Sequence, residues 1–225
     1  TPDFAVPMAD TWVLLGALAA QTERIRLGTT ITALPRHLPQ EVARQAVTID
    51  RLSAGRLVHG VGLGEPPSEF TAIGRSADRS VLASMLDEAL EVVSGLWSGQ
   101  PFSHHGAHYS FDDVQCLPTP LQEPRIPVWV SAMTRNERTL GRAARWDGVI
   151  LGAMTPDGGM DVLPAAAVAE VAHRPDAPAD IVVAAPAGTD PELYRDAGAT
   201  WVLITGWLDE LREIATRRQP VTRAG

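Results

Sequence analysis

The chain has 225 residues, 27 acidic against 19 basic side chains and a formal net charge of −8. That length gives one domain a large core yet is slightly short for a full (β/α)8 barrel, and the charge argues against nucleic acid as the main partner, since phosphate binding needs a basic face. No apolar run approaches the ~20 residues of a membrane span, and Thr1 to Asp10 has neither the basic start nor the apolar stretch of a secretory signal.

In chain order, Trp12 to Gln21 has helix-forming composition, with Asp10 or Thr11 as N-cap. Ile25 to Leu34 reads as a strand, with Leu27, Thr29 and Ile31 on one side and Gly28, Thr30 and Thr32 on the other. A helix with Pro39 in its first turn runs to Leu52, and Leu57 to Leu63 is a second strand. Val81 to Trp97 carries a helical stripe of Leu82, Leu86, Ala89, Val93 and Leu96 and is stopped by Gly99 and Pro101. Phe102 to Phe111 reads as a hairpin turning at Gly106.

Further on, strands are expected at Pro127 to Ala132, Gly148 to Gly152, Ile181 to Ala185 and Trp201 to Thr205. The helices between and after them are expected at Glu137 to Ala144, Ala165 to Ala172, Pro191 to Ala197 and Leu208 to Arg217. Apart from the Pro-rich stretch Cys116 to Pro127, nothing reads as a linker, so residues 1–225 are taken as a single domain. Strand–helix alternation of this kind means a parallel sheet with helices outside, either curled into a barrel or wound as an open layer.

The strand Leu57 to Leu63 puts Leu57, His59, Val61 and Leu63 on one face and Val58, Gly60, Gly62 and Gly64 on the other. With the apolar face on the helices, the glycine face leaves room for a flat aromatic ring at the strand end; the alternative is that the glycines only relieve crowding. Gly-Val-Gly-Leu-Gly lacks the spacing and the acidic residue of a dinucleotide fingerprint. Ser131, Ala132 and Met133 end a strand just before a helix, where free N–H groups suit a phosphate; Thr134 and Asn136 are further donors or plain caps.

Among the histidines, His37 leaves the Thr-rich strand and is placed for proton transfer, with helix capping as its alternative role. His59 reads as buried structure. His104, His105 and His108 read as an exposed hairpin rather than a metal site, because no third acidic or thiolate ligand is near in sequence. Asp50, Ser53, Gly55 and Arg56 form a structural turn in which Asp50 and Arg56 pair or cap. Cys116 stands alone, so no internal disulfide forms, which fits a cytoplasmic location. No lysine is offered at a strand end, which removes the Schiff-base route of an aldolase-type barrel.

Leu-Gly-Thr-Thr-Ile-Thr, Arg-His-Leu-Pro, Ile-Asp-Arg-Leu-Ser-Ala-Gly-Arg and Gly-Val-Gly-Leu-Gly follow one another between Leu27 and Gly64. In that order they resemble the bacterial luciferase-like monooxygenase superfamily, with Leu38 separating the usual His-Pro pair. The resemblance continues through Glu69-Phe70, Gly74, Glu88 to Trp97, Pro127 to Val130 and Trp146-Asp147-Gly148.

The resemblance implies an α/β fold of the (β/α)8 TIM-barrel type from which the first strand–helix–strand elements, with their acid–base pair, are missing. Such a chain is either a fragment or a shortened barrel. Residues 65–126 are expected to roof the site, and Pro66, Pro67, Phe70, Phe102, Tyr109 and Phe111 suggest a nonpolar or aromatic small-molecule substrate. The cofactor is FMN or coenzyme F420, its ring against Thr30, Ile31, Thr32, Gly60, Gly62 and Gly64 and its phosphate at Ser131, Ala132 and Met133. A non-prolyl cis peptide is implied at Thr29–Thr30 or Thr30–Ile31. With FMN, oxygen chemistry follows; with F420, hydride transfer. The absence of an arginine at Leu63 tilts toward F420 or weakly held reduced FMN. A reductase supplying reduced cofactor and a homodimer are further implied partners. The alternative is a non-catalytic flavin-binding protein of the same family.

Overall fold

The structure is a computed structural model that describes residues 9–155 and 159–206. It divides into two compact units, Thr1–Trp129 and Val130–Gly225.

In the first unit the elements are α1 (Thr11–Gln21), β1 (Leu27–Gly28), β2 (Thr32–Ala33), a 3-10 turn at Leu34–Arg36, α2 (Pro39–Leu52) and β3 (Leu57–Gly62), followed by α3 (Ser68–Thr71), α4 (Arg79–Trp97) and the strands β4 (Phe102–His105) and β5 (Ser110–Val114). Asp10 caps α1 by accepting from the Val13 N–H at 2.9 Å. Asp78 caps α4 through Ser80 and Val81, which is why that helix starts at Arg79, two residues before the position its apolar stripe suggests. α2 has the bounds expected from its sequence and buries Val42, Ala43, Ala46, Val47 and Ile49 along one face.

The Thr-rich segment is the main departure. Instead of one strand from Ile25 to Leu34, two short ones flank a break at residues 29–31, where the Thr30–Ile31 peptide is cis. Both pair in parallel with β3: Leu27 lies opposite Leu57, and Thr32 opposite Val61. The break shifts the alternation, so Thr29 and Thr32 are buried while Thr30 is exposed and Ile31 half-buried. All six residues of β3 are buried. Its His59 face meets the helices as expected, with the ring between those of Trp12 in α1 and Trp97 in α4.

β4 and β5 form the expected antiparallel hairpin, longer by three residues and bulged between Phe102 and His104. Its tip is held by Glu88 of α4, whose carboxylate accepts from the His108 and Tyr109 N–H groups and meets His104 Nε2. His105 turns to Asp112 and His108 to Ser84.

The Asp50–Arg56 pair does not form. Asp50 is fully buried and accepts from the Leu121 N–H and the Gln122 side chain, each at 2.7 Å. Arg56 instead reaches back to α1, donating to the carbonyls of Ala19, Thr22 and Ile25. The turn between them is closed by Ser53.

The division between units falls within β6 (Val128–Ser131). Beyond it come α5 (Glu137–Ala143), β7 (Gly148–Leu151), β8 (Ala153–Met154), β9 (Met160–Asp161), α6 (Ala165–Ala172), β10 (Asp180–Pro186), α7 (Glu192–Arg195) and β11 (Trp201–Thr205). β7, β10 and β11 are parallel neighbours, with Asp180 opposite Gly148 and Val182 opposite Trp201. The near-continuous apolar runs of β7 and β10 are buried on both faces, the burial expected of parallel strands covered by helices. The short hairpin β8–β9 and the single turn α3 carry no period and were not anticipated from sequence. The helix expected from Leu208 lies outside the described residues.

Candidate active site

The first unit brings the Thr-rich segment and the glycine strand side by side. The Thr29 hydroxyl donates to the Gly60 carbonyl at 2.7 Å, and the Thr32 hydroxyl donates to that of Thr29 at 3.1 Å. Ala33 lies opposite Gly62. Thr30, exposed, and Ile31, half-buried, lie in the break between the two strands that pair with β3.

Gly64 plays a different part. It has φ +94°, and a Cβ there would lie 2.6 Å from the Ala33 Cβ and 3.1 Å from the Phe70 ring. Its missing side chain makes room for protein, as in the crowding alternative. Phe70 is fully buried under Arg36, whose guanidinium stands 5.7 Å from the ring centroid and pairs with Glu69. Phe70 is thus part of the core, and Phe102 packs edge-on against Phe111.

His37 follows directly. Its backbone N–H closes the 3-10 turn on Leu34 O at 3.0 Å, while α2 is capped by Leu38, so the imidazole caps no helix. Burial, then the charges of Arg36 and Arg75, hold the ring below its ordinary pKa against the weaker pull of Asp10 and Glu41. A half-buried, neutral imidazole accepts a proton at pH 7. Arg75 is fixed beside it, donating to Pro35 O at 3.3 Å and Arg36 O at 2.7 Å.

The second unit holds the expected phosphate residues. The Ala132 N–H is not free: it donates to Ile150 O at 2.9 Å in the strand ladder. Ser131 and Met133 are half-buried. Asn136 is a plain cap, its carbonyl oxygen accepting from the Thr139 N–H and its amide donating to Thr134.

Sequence reasoning missed Arg135. It sits at φ +48° between strand and helix, and its guanidinium donates to Met133 O at 3.0 Å and Gly152 O at 2.9 Å. An arginine placed between a strand end and an Asn cap was the available signal.

A family model described as luciferase-like monooxygenase matches residues 1–219. The chain belongs to that family. This luciferase-like chain is 33% identical over 127 residues to an F420-dependent glucose-6-phosphate dehydrogenase of Microbacterium testaceum, covering 56% of this chain and 37% of that protein. It is 32% identical over 119 residues to the oxygenase component of a flavin-dependent trigonelline monooxygenase of Acinetobacter baylyi, covering 53% and 33%. Among solved structures it superposes on the monooxygenase RslO1 from Streptomyces bottropensis with a TM-score of 0.65 at 27% identity, covering 84% of this chain and 59% of that one. The luciferase-like relatives thus include both cofactor classes expected from the sequence, F420 and flavin. The chain spans about half the length of the curated relatives it matches.

Proposed function

We propose that the chain carries the cofactor site of a flavin- or F420-dependent oxidoreductase of the luciferase-like family, acting on a small organic substrate, in a fold of the (β/α)8 type. The observation that carries this reading is the placement of Thr30–Thr32 beside Gly60 and Gly62. There, two strand ends offer backbone and small side chains to a flat ring.

The bound group would be FMN or F420, which supplies the redox step. Thr30, Ile31, Gly60 and Gly62 would hold the ring, with Gly64 shaping the wall through Ala33 and Phe70. Within the second unit taken by itself, Ser131 and Met133 would be the candidates to hold a phosphate, with the Arg135 guanidinium as a nearby positive charge. His37 would take up or return a proton at its imidazole, held neutral by burial and its two arginine neighbours. A reductase delivering reduced cofactor, as in two-component systems, and a homodimer complete the reading.

The test is a fluorescence titration of purified protein with FMN and with F420, followed by single-turnover assays with reduced cofactor. Micromolar binding of one cofactor, weakened by Arg135→Gln, is the expected result. Failure of both to bind would overturn the proposal, and binding without any turnover would identify a non-catalytic flavin carrier.

A further inference from the structure

The turn that carries His37 is gripped from both directions by the segment after β3. Arg36 reaches out to that segment: its guanidinium pairs with Glu69 in α3 and stands 5.7 Å from the centre of the Phe70 ring. Arg75, just beyond α3, reaches back, donating to the carbonyls of Pro35 at 3.3 Å and Arg36 at 2.7 Å. It is tied to α3 by its own backbone N–H, which donates to Phe70 O at 2.9 Å. Glu69 and Phe70 are buried, so the grip is anchored in the core.

Two carbonyls on one guanidinium fix the chain on the N-terminal side of His37, and the His37 N–H closes the same turn on Leu34 O at 3.0 Å. The charged and titratable groups that bear on the imidazole come from each neighbouring element: Arg36 on its own turn, Arg75, Asp10 ahead of α1, Glu41 in the first turn of α2, and His59 of β3. Arg36 has a carboxylate partner in Glu69, whereas no carboxylate pairs with Arg75 among the described residues. Arg75 therefore brings an unneutralised positive charge to the turn as well as its hydrogen bonds. Such a charge beside an imidazole favours the neutral ring.

We propose that Arg75 is a positioning residue for His37: it holds the turn Leu34–Arg36 in place and sets its charge against protonation of the ring. The segment after β3 thereby governs a proton acceptor on the loop after β2. This deepens the redox reading above and rests on the role given there to His37.

The test follows the His37 ring by NMR through a pH titration of the cofactor-free protein, with its signals assigned by His37→Gln. In the wild type the ring titrates below the ordinary histidine value, and high salt, which screens the exposed Arg75, moves it upward. Arg75→Gln also moves it upward, and speeds amide exchange at His37 about fivefold through the lost carbonyl contacts. Arg75→Lys keeps the charge but cannot span both carbonyls, so the titration stays near that of the wild type while the faster exchange persists. Arg79→Gln, in an arginine already paired with Glu65, changes neither. An Arg75→Gln protein whose ring titrates as in the wild type, with faster exchange or without it, would overturn the proposal, because a merely structural clasp behaves that way. So would Arg75→Lys moving the ring as far as Arg75→Gln, or a wild-type titration indifferent to salt. Cofactor titration reads the redox site separately: if neither cofactor binds, that reading fails while the ring titration still decides the role of Arg75. Where turnover is found, the acid limb of its pH profile moves to higher pH in Arg75→Gln together with the ring titration.

Discussion

Thr29 and Gly60 are joined by a buried side-chain hydrogen bond, hydroxyl to carbonyl at 2.7 Å, which ties the broken Thr-rich segment to β3. Two further residues depend on it. Thr32 donates to the same hydroxyl, and Thr30 between them is left facing outward.

Thr29→Val removes both bonds while keeping the shape, leaving the Gly60 carbonyl without its donor. The expected cost is about 1–3 kcal/mol in urea unfolding, and Thr29→Ser restores most of it. The same Val variant weakens whichever cofactor binds, since Thr30 and Ile31 lose their fixed position.

His59 gives the protein a specific acid sensitivity. It is fully buried between Trp12 and Trp97, its two ring nitrogens have no hydrogen-bond partner among the described residues, and burial first, then the His37 charge, pull it down to about 3. The neutral ring is the folded form, so the unfolded chain binds the extra proton first. Stability from this residue is complete above the unfolded pKa near 6.5 and falls as pH drops from there toward 3. Between pH 7.5 and 5 the expected loss is about 2 kcal/mol in urea unfolding. His59→Leu flattens that portion of the profile; an unchanged pH slope would refute the assignment.

Glu88 organises the hairpin tip. Burial pushes its carboxyl up, but the N–H groups of Tyr109 and His108 and the His104 ring together hold it below the ordinary range. Its contribution is present above the unfolded pKa near 4.5 and lost as pH falls through the lower folded value. Glu88→Gln costs roughly 1–3 kcal/mol. It also speeds amide exchange at His108 and Tyr109 well before the core opens.

Arg56 is a five-point anchor for the end of α1. It donates to Ser53 O, Ile25 O and Thr22 O at 2.6 Å, and more weakly to Ala19 O and the Thr22 hydroxyl. Arg56→Lys keeps the charge but cannot span these acceptors, so it destabilises by about 2 kcal/mol, close to the effect of Arg56→Gln, in thermal or urea unfolding.

Much of the fold was legible because its signals are local. The cap at Asp10, the stripe of α2 and the apolar runs of β7 and β10 each follow from neighbours in sequence. The break at residues 29–31 was not legible from alternation, because Thr suits either face of a strand; it was the family resemblance that implied a cis peptide at Thr29–Thr30 or Thr30–Ile31, and the structure has it at Thr30–Ile31. The glycines of β3 could be placed on one face, yet nothing in the run said that Gly64 is closed by Phe70, a contact made through a turn of helix with no periodic signal. Arg135 and Arg75 went unnoticed for a related reason: each is fixed by carbonyl oxygens, and a carbonyl carries no sequence signature.

The fastening of Leu121 and Gln122 to Asp50 changes what the proline-rich stretch before β6 is. A run of that composition suggests a hinge, free to swing. Sewn to the foot of α2 through a carboxylate sealed from water, it behaves as a strut, and its length is set by the helix it is stitched to. Lengthening it by a few residues would therefore disturb α2 before it gave the chain any new freedom.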